Sequence, residues 1–396
     1  MSTVAVLGQG YVGLPLALAA SQSGYKVIGL DKNSKRVTSL NLGLSGIEDV
    51  QNYEIELALA TGRYRASEDF SAISEANVVL ICVPTPLDSK NQPNLDYVLS
   101  AVEICAKYLT TGTLVIIEST VAPGTTREVI LPKIEHISGL SRKDFHLAFS
   151  PERIDPNNKS FNLLNTPKLV AGLNQSSTKM AVEFYSKFVN EVINCSSLEV
   201  AEVAKLLENS FRFINISFIN ELSIFCHKTG VNIEEVIKAA SSKPYGFMPF
   251  YPSLGIGGHC IPVDPIYLSH QAEMVGAPIA LINLAEKINN QMPDHFVFRA
   301  EELIGNLDGR KLLVVGVSYK PNVSDTRETS VKSFITKLRQ KGAKVCWHDD
   351  LVAEWNGESS VELNNNFDLA IIAMQHSYLD LSKLGNVPVL YTNGSF

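Results

Sequence analysis

Residues 3–22 read TVAVLGQGYVGLPLALAASQ, a short β-branched run that leads through a glycine turn into an apolar helical pattern. The turn contains Gly8, Gly10 and Gly13 in the spacing GxGxxG. In that setting the first glycine permits a tight turn, the second lets a phosphate approach the backbone, and the third lets helix and strand pack closely. GxGxxG alone is a weak signal, but between a strand and a helix it predicts a βαβ unit that binds a dinucleotide.

A carboxylate follows the glycine turn at the distance that such units use. Asp31 ends the run KVIGLD (26–31), about twenty residues beyond the glycines, where it can accept hydrogen bonds from both ribose hydroxyls and repel a 2′-phosphate. The sequence therefore predicts NAD rather than NADP. Lys32 and Arg36 weaken this discrimination, because either side chain could swing toward a 2′-phosphate.

Strand-like runs and helical patterns keep alternating, which predicts a first α/β domain over residues 1–195 with a parallel sheet and crossover helices. The later runs are NVVLICVP (77–84), GTLVIIEST (112–120), HLAFSPE (146–152) and KLVAGL (168–173). Ser196 and Glu199 then fit a capping box, and apolar residues at helical spacing continue to Gly230. A helix of this length, apolar on more than one face, usually lies between domains or subunits.

The α/β pattern restarts near the C-terminus and repeats the first. KLLVVGVSYK (311–320) is followed by GAKVCWHDD (342–350), which matches GYKVIGLD (24–31), and FDLAIIAM (367–374) matches NVVLICVP. We therefore predict an α/β protein with two doubly wound Rossmann-like domains joined by a central helical domain with a long helix. The expected boundaries are 1–195, 196–304 and 305–396.

Composition excludes several classes of protein. The chain has 396 residues, 45% hydrophobic and 19% charged, with a net charge of −7, which gives no electrostatic footprint for nucleic acid. Its six cysteines form no CxxC pair and its eight histidines show no metal-ligand spacing, so we expect no metal and a reducing compartment. No stretch resembles a signal peptide or a membrane span. We expect a cytoplasmic protein without membrane partners.

The stretch GIGGHCIPVDP (255–265) is the strongest candidate for reactive chemistry. Cys260 could act as a nucleophile if its thiolate is favoured, and Asp264 could manage protons or water. A buried structural cysteine is the alternative, since cysteine is among the most buried residue types. His259 by itself indicates a structural or cofactor-adjacent residue.

Polar residues elsewhere mark further candidate positions. Lys205 and Asn209 are four residues apart on one face of the long helix, although the pattern alone favours a solvated or snorkelling lysine over a catalytic one. Glu118-Ser119-Thr120 and Glu152-Arg153 follow two strands, at the sheet edge where doubly wound folds bind ligands. Glu152 could also simply pair with Arg153.

Together these motifs resemble the nucleotide-sugar 6-dehydrogenases, the family that includes UDP-glucose, GDP-mannose and UDP-N-acetylhexosamine dehydrogenases. The matching stretches are GQGYVG (8–13), CVPTP (82–86), ESTVAPGTT (118–126), SPER (150–153), AKLLENSFR (204–212), GGHCIPVDP (257–265) and GVSYKPNVSDTRE (316–328). The resemblance implies an NAD-dependent, four-electron oxidation of a sugar C6 alcohol to a carboxylate through a cysteine thiohemiacetal and thioester.

The resemblance also assigns residues by matching position. It implies the catalytic residues Cys260, Lys205, Asn209, Asp264, Glu152 and Thr120. For NAD it implies Gly8, Gly10, Tyr11, Val12, Gly13, Asp31, Arg36, Val83, Pro84, Thr85, Ser119, Thr120 and Arg327. For the UDP-sugar it implies Glu152, Arg153, Lys205, Asn209, Tyr251, Ser253, Gly257, Tyr319 and Lys320. A homodimer through the long helix and a role in surface polysaccharide synthesis are implied as well.

Within the family, GGHCIPVDP and KPYGFMPFYP (243–252) look like the UDP-N-acetylhexosamine branch, with UDP-N-acetylglucosamine as the best guess. UDP-N-acetylmannosamine and UDP-glucose remain alternatives. The chain departs from relatives at Tyr391-Thr392-Asn393-Gly394, where an Arg is usual, and at Pro244, where some relatives carry an Arg and Lys243 lies beside the position.

Two other kinds of protein remain alternatives. One is a scaffold or sensor that binds NAD and nucleotide sugar without turnover. The other is a two-electron dehydrogenase of the 2-hydroxy-acid type, which shares the glycine loop and a helix with Lys and Asn but gives no account of Cys260.

Overall fold

The first half of the chain folds around a parallel sheet. The computed structural model describes residues 2–47, 49–155, 158 and 160–392 and divides into two compact units, 1–208 and 209–396. The strands of the first unit are β1 (Thr3–Leu7), β2 (Lys26–Leu30), β3 (Tyr64–Ser67), β4 (Val78–Ile81), β5 (Leu114–Ile117), β6 (His146–Phe149), β7 (Lys168–Gly172) and β8 (Val192–Asn194).

These strands form one sheet in the order β3-β2-β1-β4-β5-β6-β7-β8, whose first six strands have the order of a dinucleotide-binding fold. All neighbours are parallel except β6 and β7, which are antiparallel. The strand order reverses between β1 and β4, so the carboxyl ends of these two strands border the crevice where such sheets bind ligands.

Helices cover both faces of this sheet. They are α1 (Gly13–Gln22), α2 (Ser34–Asn41), α3 (Asn52–Ala60), α4 (Asp96–Tyr108), α5 (Leu131–Ser138) and α6 (Gln175–Tyr185). Val4 and Val6 belong to one apolar cluster, whereas Ala5 and Leu7 belong to the other. Burial on both faces explains why the strands read as unbroken apolar runs.

A single helix, α7 (Leu198–Thr229), is 32 residues long and leads from the first unit into the second. The Ser197 hydroxyl accepts the Val200 N–H at 3.3 Å, so Ser197 rather than the predicted Ser196 caps it. Glu199 forms an ion pair with Arg127 at 2.6 Å and does not complete the expected capping box. Gly230, at φ +70°, follows the helix, which confirms the predicted length and end.

The second unit contains α8 (Ile233–Ser241), α9 (Asp264–Met274), α10 (Ala280–Ile304), β9 (Lys311–Val315), α11 (Val331–Gln340), β10 (Lys344–His348), β11 (Glu354–Trp355), β12 (Glu358–Ser359), β13 (Leu369–Ile372) and β14 (Val389–Tyr391). Its main sheet is parallel, in the order β10-β9-β13-β14. The order reverses between β9 and β13, which makes the crevice there a second candidate ligand site.

The predicted fold class is confirmed, since two mainly parallel sheets are separated along the chain by a helical region that includes α7. The division at 195 and 304 stays a prediction. Strands β3, β8, β11, β12 and β14 were not predicted, because runs of two to four residues (YRAS, VIN, EW, ES and VLY) are too short to separate from loops by periodicity. Along the described part of the chain, no helix combines the length and apolar character needed to cross a bilayer.

Candidate active site

In the glycine turn after β1, two glycines are required by protein packing, whereas the remaining one leaves space for a ligand. Gly8 has φ +90°, and a Cβ there would lie 2.5 Å from the Cys82 carbonyl oxygen. A Cβ on Gly13 would overlap the Gly8 carbonyl. A Cβ on Gly10 would meet no atom within 4 Å, so no neighbouring protein group requires glycine there. The space beside Gly10, at the start of α1, therefore suits the pyrophosphate of a dinucleotide.

Asp31 lies at the end of β2, where the cofactor assignment needs a carboxylate. Its Oδ2 accepts the Gln9 N–H and its Oδ1 accepts the Asn33 N–H, both at 2.9 Å. Arg36 donates from Nε to the Gln9 carbonyl at 2.9 Å, while its Nη2 is buried without a hydrogen-bond partner. Partial burial lowers the pKa of Arg36, and the Tyr64 phenol and the Asp31 carboxylate oppose that shift.

The Gln9 side chain has a structural role that sequence reasoning missed. It is fully buried, donates to the Val6 carbonyl at 2.9 Å and accepts the Tyr64 hydroxyl at 2.9 Å. A Cβ at Gly29 would overlap the Gln9 amide, so Gly29 makes room for it. The Gln9 side chain of the GQG motif thus holds the glycine turn in place through these buried hydrogen bonds.

Ser119, which follows β5, is hydrogen-bonded to Val83, which follows the neighbouring strand β4. Its hydroxyl donates to the Val83 carbonyl at 2.7 Å, and the Val83 N–H donates to that hydroxyl at 3.0 Å. Two residues assigned to NAD are thus in contact. Of the other NAD-assigned residues at this end of the sheet, Tyr11 and Pro84 are exposed, Val12 and Thr120 are half-buried, and Thr85 is buried.

Glu152 lies in the loop after β6 with its two oxygens in different surroundings. Oε1 accepts the N–H groups of Arg153 and Ile154 at 2.6 and 2.7 Å. Oε2 is buried without a hydrogen-bond partner, 3.6 Å from Lys168 Nζ. The Arg153 guanidinium pairs with Glu208 at 2.7 Å. The simple Glu152–Arg153 side-chain pair considered from sequence is therefore not what the chain forms.

Behind Glu152 lies a buried polar cluster that the sequence did not predict. Lys168 Nζ lies 2.6 Å from Glu118 Oε2 and donates to the Pro151 carbonyl at 3.1 Å. The Tyr185 hydroxyl donates to Glu118 Oε1. Burial raises the pKa of Glu118 to about 7, although Lys168 opposes the shift. The sequence did contain a signal for this cluster. Glu118 directly follows the apolar run of β5, and Lys168 begins the apolar run of β7.

Helix α7 presents Lys205 and Asn209 as buried residues, 8% and 7% exposed, so Lys205 does not lie on a solvated face. The Asn209 amide donates to Asp264 Oδ2 at 2.6 Å. Asp264 is the first residue of α9 and only 3% exposed. The fold thus brings together two residues, 55 positions apart, that sequence reasoning assigned to the same site.

Cys260 lies in the loop before α9, is exposed and forms no disulfide. The buried structural alternative is therefore wrong. The Cys260 carbonyl accepts the N–H groups of Val263 and Asp264 at 3.2 and 2.9 Å, which fixes the thiol-bearing residue to the first turn of the helix. Beside it, burial and the Arg327 charge lower the pKa of His259.

A cleft opens at the strand-order reversal between β9 and β13. Its lining is Ser253, Leu254, Gly255, Gly257, Ser318, Tyr319, Thr329, Ser330, Val331, Ala373 and Met374. A Cβ on Gly257 or Gly258 would press against Tyr319, so the glycines let the cysteine loop lie directly on that ring. Three residues assigned to the substrate, Ser253, Gly257 and Tyr319, line this one cleft.

The remaining substrate and cofactor residues of this unit lie around the cleft. The Arg327 carbonyl accepts the Gly258 N–H at 3.2 Å, and its guanidinium pairs with Asp325 at 2.6 Å. Lys320 is half-buried, whereas Tyr251 is 54% exposed and does not line the cleft. Asn393 and Gly394 lie outside the described residues. No cluster of three or more metal-ligating side chains occurs among the residues that the structure describes.

Comparison with known proteins identifies the family. Its sequence models match residues 2–189, 199–291 and 313–387 as the NAD binding, central and UDP binding domains of the UDP-glucose/GDP-mannose dehydrogenase family. A Pseudomonas aeruginosa UDP-N-acetyl-D-glucosamine 6-dehydrogenase is 36% identical, over 98% of this chain and 95% of its own. A Pyrococcus horikoshii UDP-N-acetyl-D-mannosamine dehydrogenase is 33% identical, over 94% and 89%.

Solved structures agree with the sequence comparison. The structure of a UDP-D-ManNAc dehydrogenase from Pyrococcus horikoshii superposes with a TM-score of 0.91 at 30% identity, covering 99% of this chain and 95% of the other. The comparisons thereby confirm the predicted family, the NAD cofactor and the enzyme class. The chain belongs to the UDP-glucose/GDP-mannose dehydrogenase family and is an NAD-dependent nucleotide-sugar dehydrogenase.

Proposed function

We propose that the protein oxidises the C6 hydroxyl of a UDP-N-acetylhexosamine to a carboxylate, with UDP-N-acetylglucosamine as the preferred sugar. The observation that carries the proposal is the exposed Cys260 beside the buried Asn209–Asp264 pair. This constellation supplies a nucleophile together with groups that orient an oxyanion and a water. Relatives named as UDP-N-acetyl-D-glucosamine 6-dehydrogenase and UDP-N-acetyl-D-mannosamine dehydrogenase support the substrate class.

The reaction removes four electrons in two oxidations. The C6 alcohol loses a hydride and a proton to give an aldehyde, and the Cys260 thiolate adds to its carbonyl carbon as a thiohemiacetal. Loss of a second hydride gives a thioester, which water hydrolyses to the acid and the free thiol. NAD, when bound, accepts the hydride in each oxidation.

The buried polar residues of α7 stabilise the charge that develops on the substrate oxygen. The Lys205 ammonium and the Asn209 amide suit an alkoxide or tetrahedral oxyanion, because a low dielectric strengthens their interaction with it. The 2.6 Å bond to Asp264 fixes the orientation of the Asn209 amide. Asp264, Glu152 and Thr120 take the proton and water steps.

The cleft between β9 and β13 suits the UDP part of the substrate. It lies at the strand-order reversal of a parallel sheet, where nucleotides bind to such folds. Tyr319 gives an aromatic face and Lys320 follows it in the same loop. A cation placed there can hold a diphosphate in a protein whose net charge is −7.

Helix α7 also carries an apolar stripe that fits a second copy of the chain. The exposed apolar residues of the stripe are Val200, Val203, Leu207, Phe211, Phe218 and Phe225. On an ideal helix of 3.6 residues per turn they fall within an arc of about 80°. We propose a homodimer through this stripe, and sedimentation of the purified protein should give twice the 43.3 kDa chain mass. A monomeric mass at micromolar concentration would contradict it.

The decisive experiment counts NADH formed per sugar consumed. UDP-N-acetylglucosamine, UDP-N-acetylmannosamine and UDP-glucose are each incubated with NAD and the enzyme, and the acid is identified by mass. We expect two NADH per sugar and a kcat/KM at least about tenfold higher for UDP-N-acetylglucosamine than for UDP-glucose, since unpaired pocket groups cost about 1–3 kcal/mol. Cys260→Ala should give no acid.

Each alternative has its own signature. One NADH per molecule oxidised indicates a two-electron dehydrogenase, and binding of NAD and UDP-sugar without turnover indicates a scaffold. Acid formation at the wild-type rate by Cys260→Ala would rule out the covalent route. The cytoplasmic location and the role in polysaccharide synthesis stay predictions.

A further inference from the structure

We propose that Lys168 and Glu118 are positioning residues that set the charge of the Glu152 carboxylate, an inference that rests on the proposed function of Glu152. Neither residue belongs to the set assigned by resemblance. Both are almost completely buried, with side chains 4% and 0% exposed. A buried ion pair behind a candidate active-site carboxylate calls for a physical explanation, because burial alone makes such a pair costly.

The distances show that one cation faces two anions. Lys168 Nζ lies 2.6 Å from Glu118 Oε2 and 3.6 Å from Glu152 Oε2. Its other described bond runs to the Pro151 carbonyl, at 3.1 Å, in the residue before Glu152. Lys168 therefore holds both the backbone and the charge of the loop that carries Glu152.

The two carboxylate oxygens of Glu152 have different roles. Oε1 is held by two backbone N–H groups, from Arg153 and Ile154. Oε2 is buried without a hydrogen-bond partner, although an unsatisfied buried acceptor costs about 1–3 kcal/mol. Oε2 is thus the atom at which Glu152 accepts a proton from water or substrate.

Lys168 is the cation that the structure places against Glu152 Oε2, and three neighbouring titratable groups are otherwise engaged or neutral or compete for it. The Arg153 guanidinium pairs with Glu208 of α7. Cys82, after β4, is buried and its pKa is raised well above the usual value, so it is neutral. Glu118, after β5, competes with Glu152 for Lys168.

Proton occupancy of Glu118 decides how the Lys168 charge is shared. With both carboxylates ionised, the cluster holds one net negative charge, which burial disfavours. Burial raises the pKa of Glu118 to about 7, so well below that pH Glu118 is neutral and the Lys168 charge acts on Glu152 alone. The Tyr185 hydroxyl donates to Glu118.

Variants of the two partners should have different effects on the acid limb of kcat. At saturating NAD and UDP-sugar, Lys168→Met removes the cation that stabilises ionised Glu152, so the limb should move up by about one pH unit or more. Glu118→Gln imitates the neutral carboxyl that is already present over the acid limb, so the limb should stay at its wild-type position. Lys168→Arg keeps the cation and should restore the wild-type profile, and Tyr185→Phe is the packing control.

A merely structural role predicts lower activity with an unmoved limb for Lys168→Met, or the same shift for Lys168→Met and Glu118→Gln, and either result would overturn the inference. If Lys168→Met does not fold, Lys168→Gln removes the same charge and its acid limb decides. NAD affinity, measured by fluorescence titration, should be unchanged in every variant. A wild-type enzyme that oxidises no UDP-sugar contradicts the proposed function; wild-type turnover with an unmoved limb in the Lys168→Met or Lys168→Gln enzyme contradicts only this inference.

Discussion

The glycine turns after β1 and β9 have the same backbone design. Gly8 has φ +90° and Gly316 has φ +85°, and each donates its N–H, at 2.8 Å, to the carbonyl of the last residue of the neighbouring strand. The next residue in each turn donates its N–H to an aspartate, Gln9 to Asp31 at 2.9 Å and Val317 to Asp349 at 2.8 Å. The sequence repeat is thus a repeat of hydrogen bonds.

The two turns differ in what covers the aspartate. Asp31 is partly exposed, whereas Asp349 is 3% exposed and takes the His376 Nε2–H at 3.2 Å. His376 Nδ1 accepts the Asn322 N–H at 2.8 Å, which fixes the neutral tautomer with the proton on Nε2. The second turn is therefore closed around its carboxylate.

The glycine spacing differs as well. The position of Gly10 in the first turn is taken by Ser318, which is fully buried, and the position of Gly13 is taken by Pro321. No helix opens directly after the second turn, because α11 begins only at Val331. One glycine and one aspartate are therefore enough to form this turn at the end of a strand. Dinucleotide binding also needs the second and third glycines and an accessible carboxylate.

The largest expected effect comes from the glycines that both turns share. A Cβ at Gly8 or Gly316 would press into a neighbouring carbonyl, of Cys82 or Met374, at a positive φ. Gly8→Ala and Gly316→Ala should each lower the free energy of unfolding by about 2–6 kcal/mol, from backbone strain and overpacking together. Gly10→Ala should leave stability unchanged and weaken NAD at least about tenfold, because its Cβ would point into the space assigned to pyrophosphate.

Trp347 and Trp355, the two tryptophans of the chain, lie in the second unit. Their fluorescence should therefore report a larger drop in thermal midpoint for Gly316→Ala than for Gly8→Ala, and circular dichroism follows both. Unchanged midpoints for these variants, or an unchanged NAD affinity for Gly10→Ala, would break the distinction between structural and ligand-facing glycines.

The repeat could be predicted from sequence because strand periodicity and the GxxVxxxD spelling are local. The closure of the second turn around Asp349 could not be predicted, because the contact joins Asp349 to His376, 27 residues further along the chain. The same division holds in the site. Gly8, Cys260 and Asp264 lie within short motifs, whereas the Lys168–Glu118 pair joins residues 50 positions apart that only the sheet order brings together. Burial of Lys205 likewise depends on packing rather than on its helical spacing.

The smallest and most specific effect concerns the two aspartates. Asp31→Asn keeps an acceptor for the Gln9 N–H but removes the charge that repels a 2′-phosphate, so kcat/KM with NADP should rise about tenfold relative to NAD. Asp349→Asn, the matched change in the closed turn, should leave that ratio unchanged. Steady-state kinetics with both cofactors measures the two ratios.

Loss of the loop bond alone must be separated from loss of charge, because Asp349 shows that such a carboxylate braces a turn without any cofactor. Asp31→Ala removes both the bond and the charge, so it should lower the NAD affinity further than Asp31→Asn while changing the cofactor ratio to a similar extent. If Asp31→Asn leaves the ratio at its wild-type value, Asp31 acts as Asp349 does, as a brace only, and discrimination against NADP must reside elsewhere, with the partly buried Arg36 as the next residue to test.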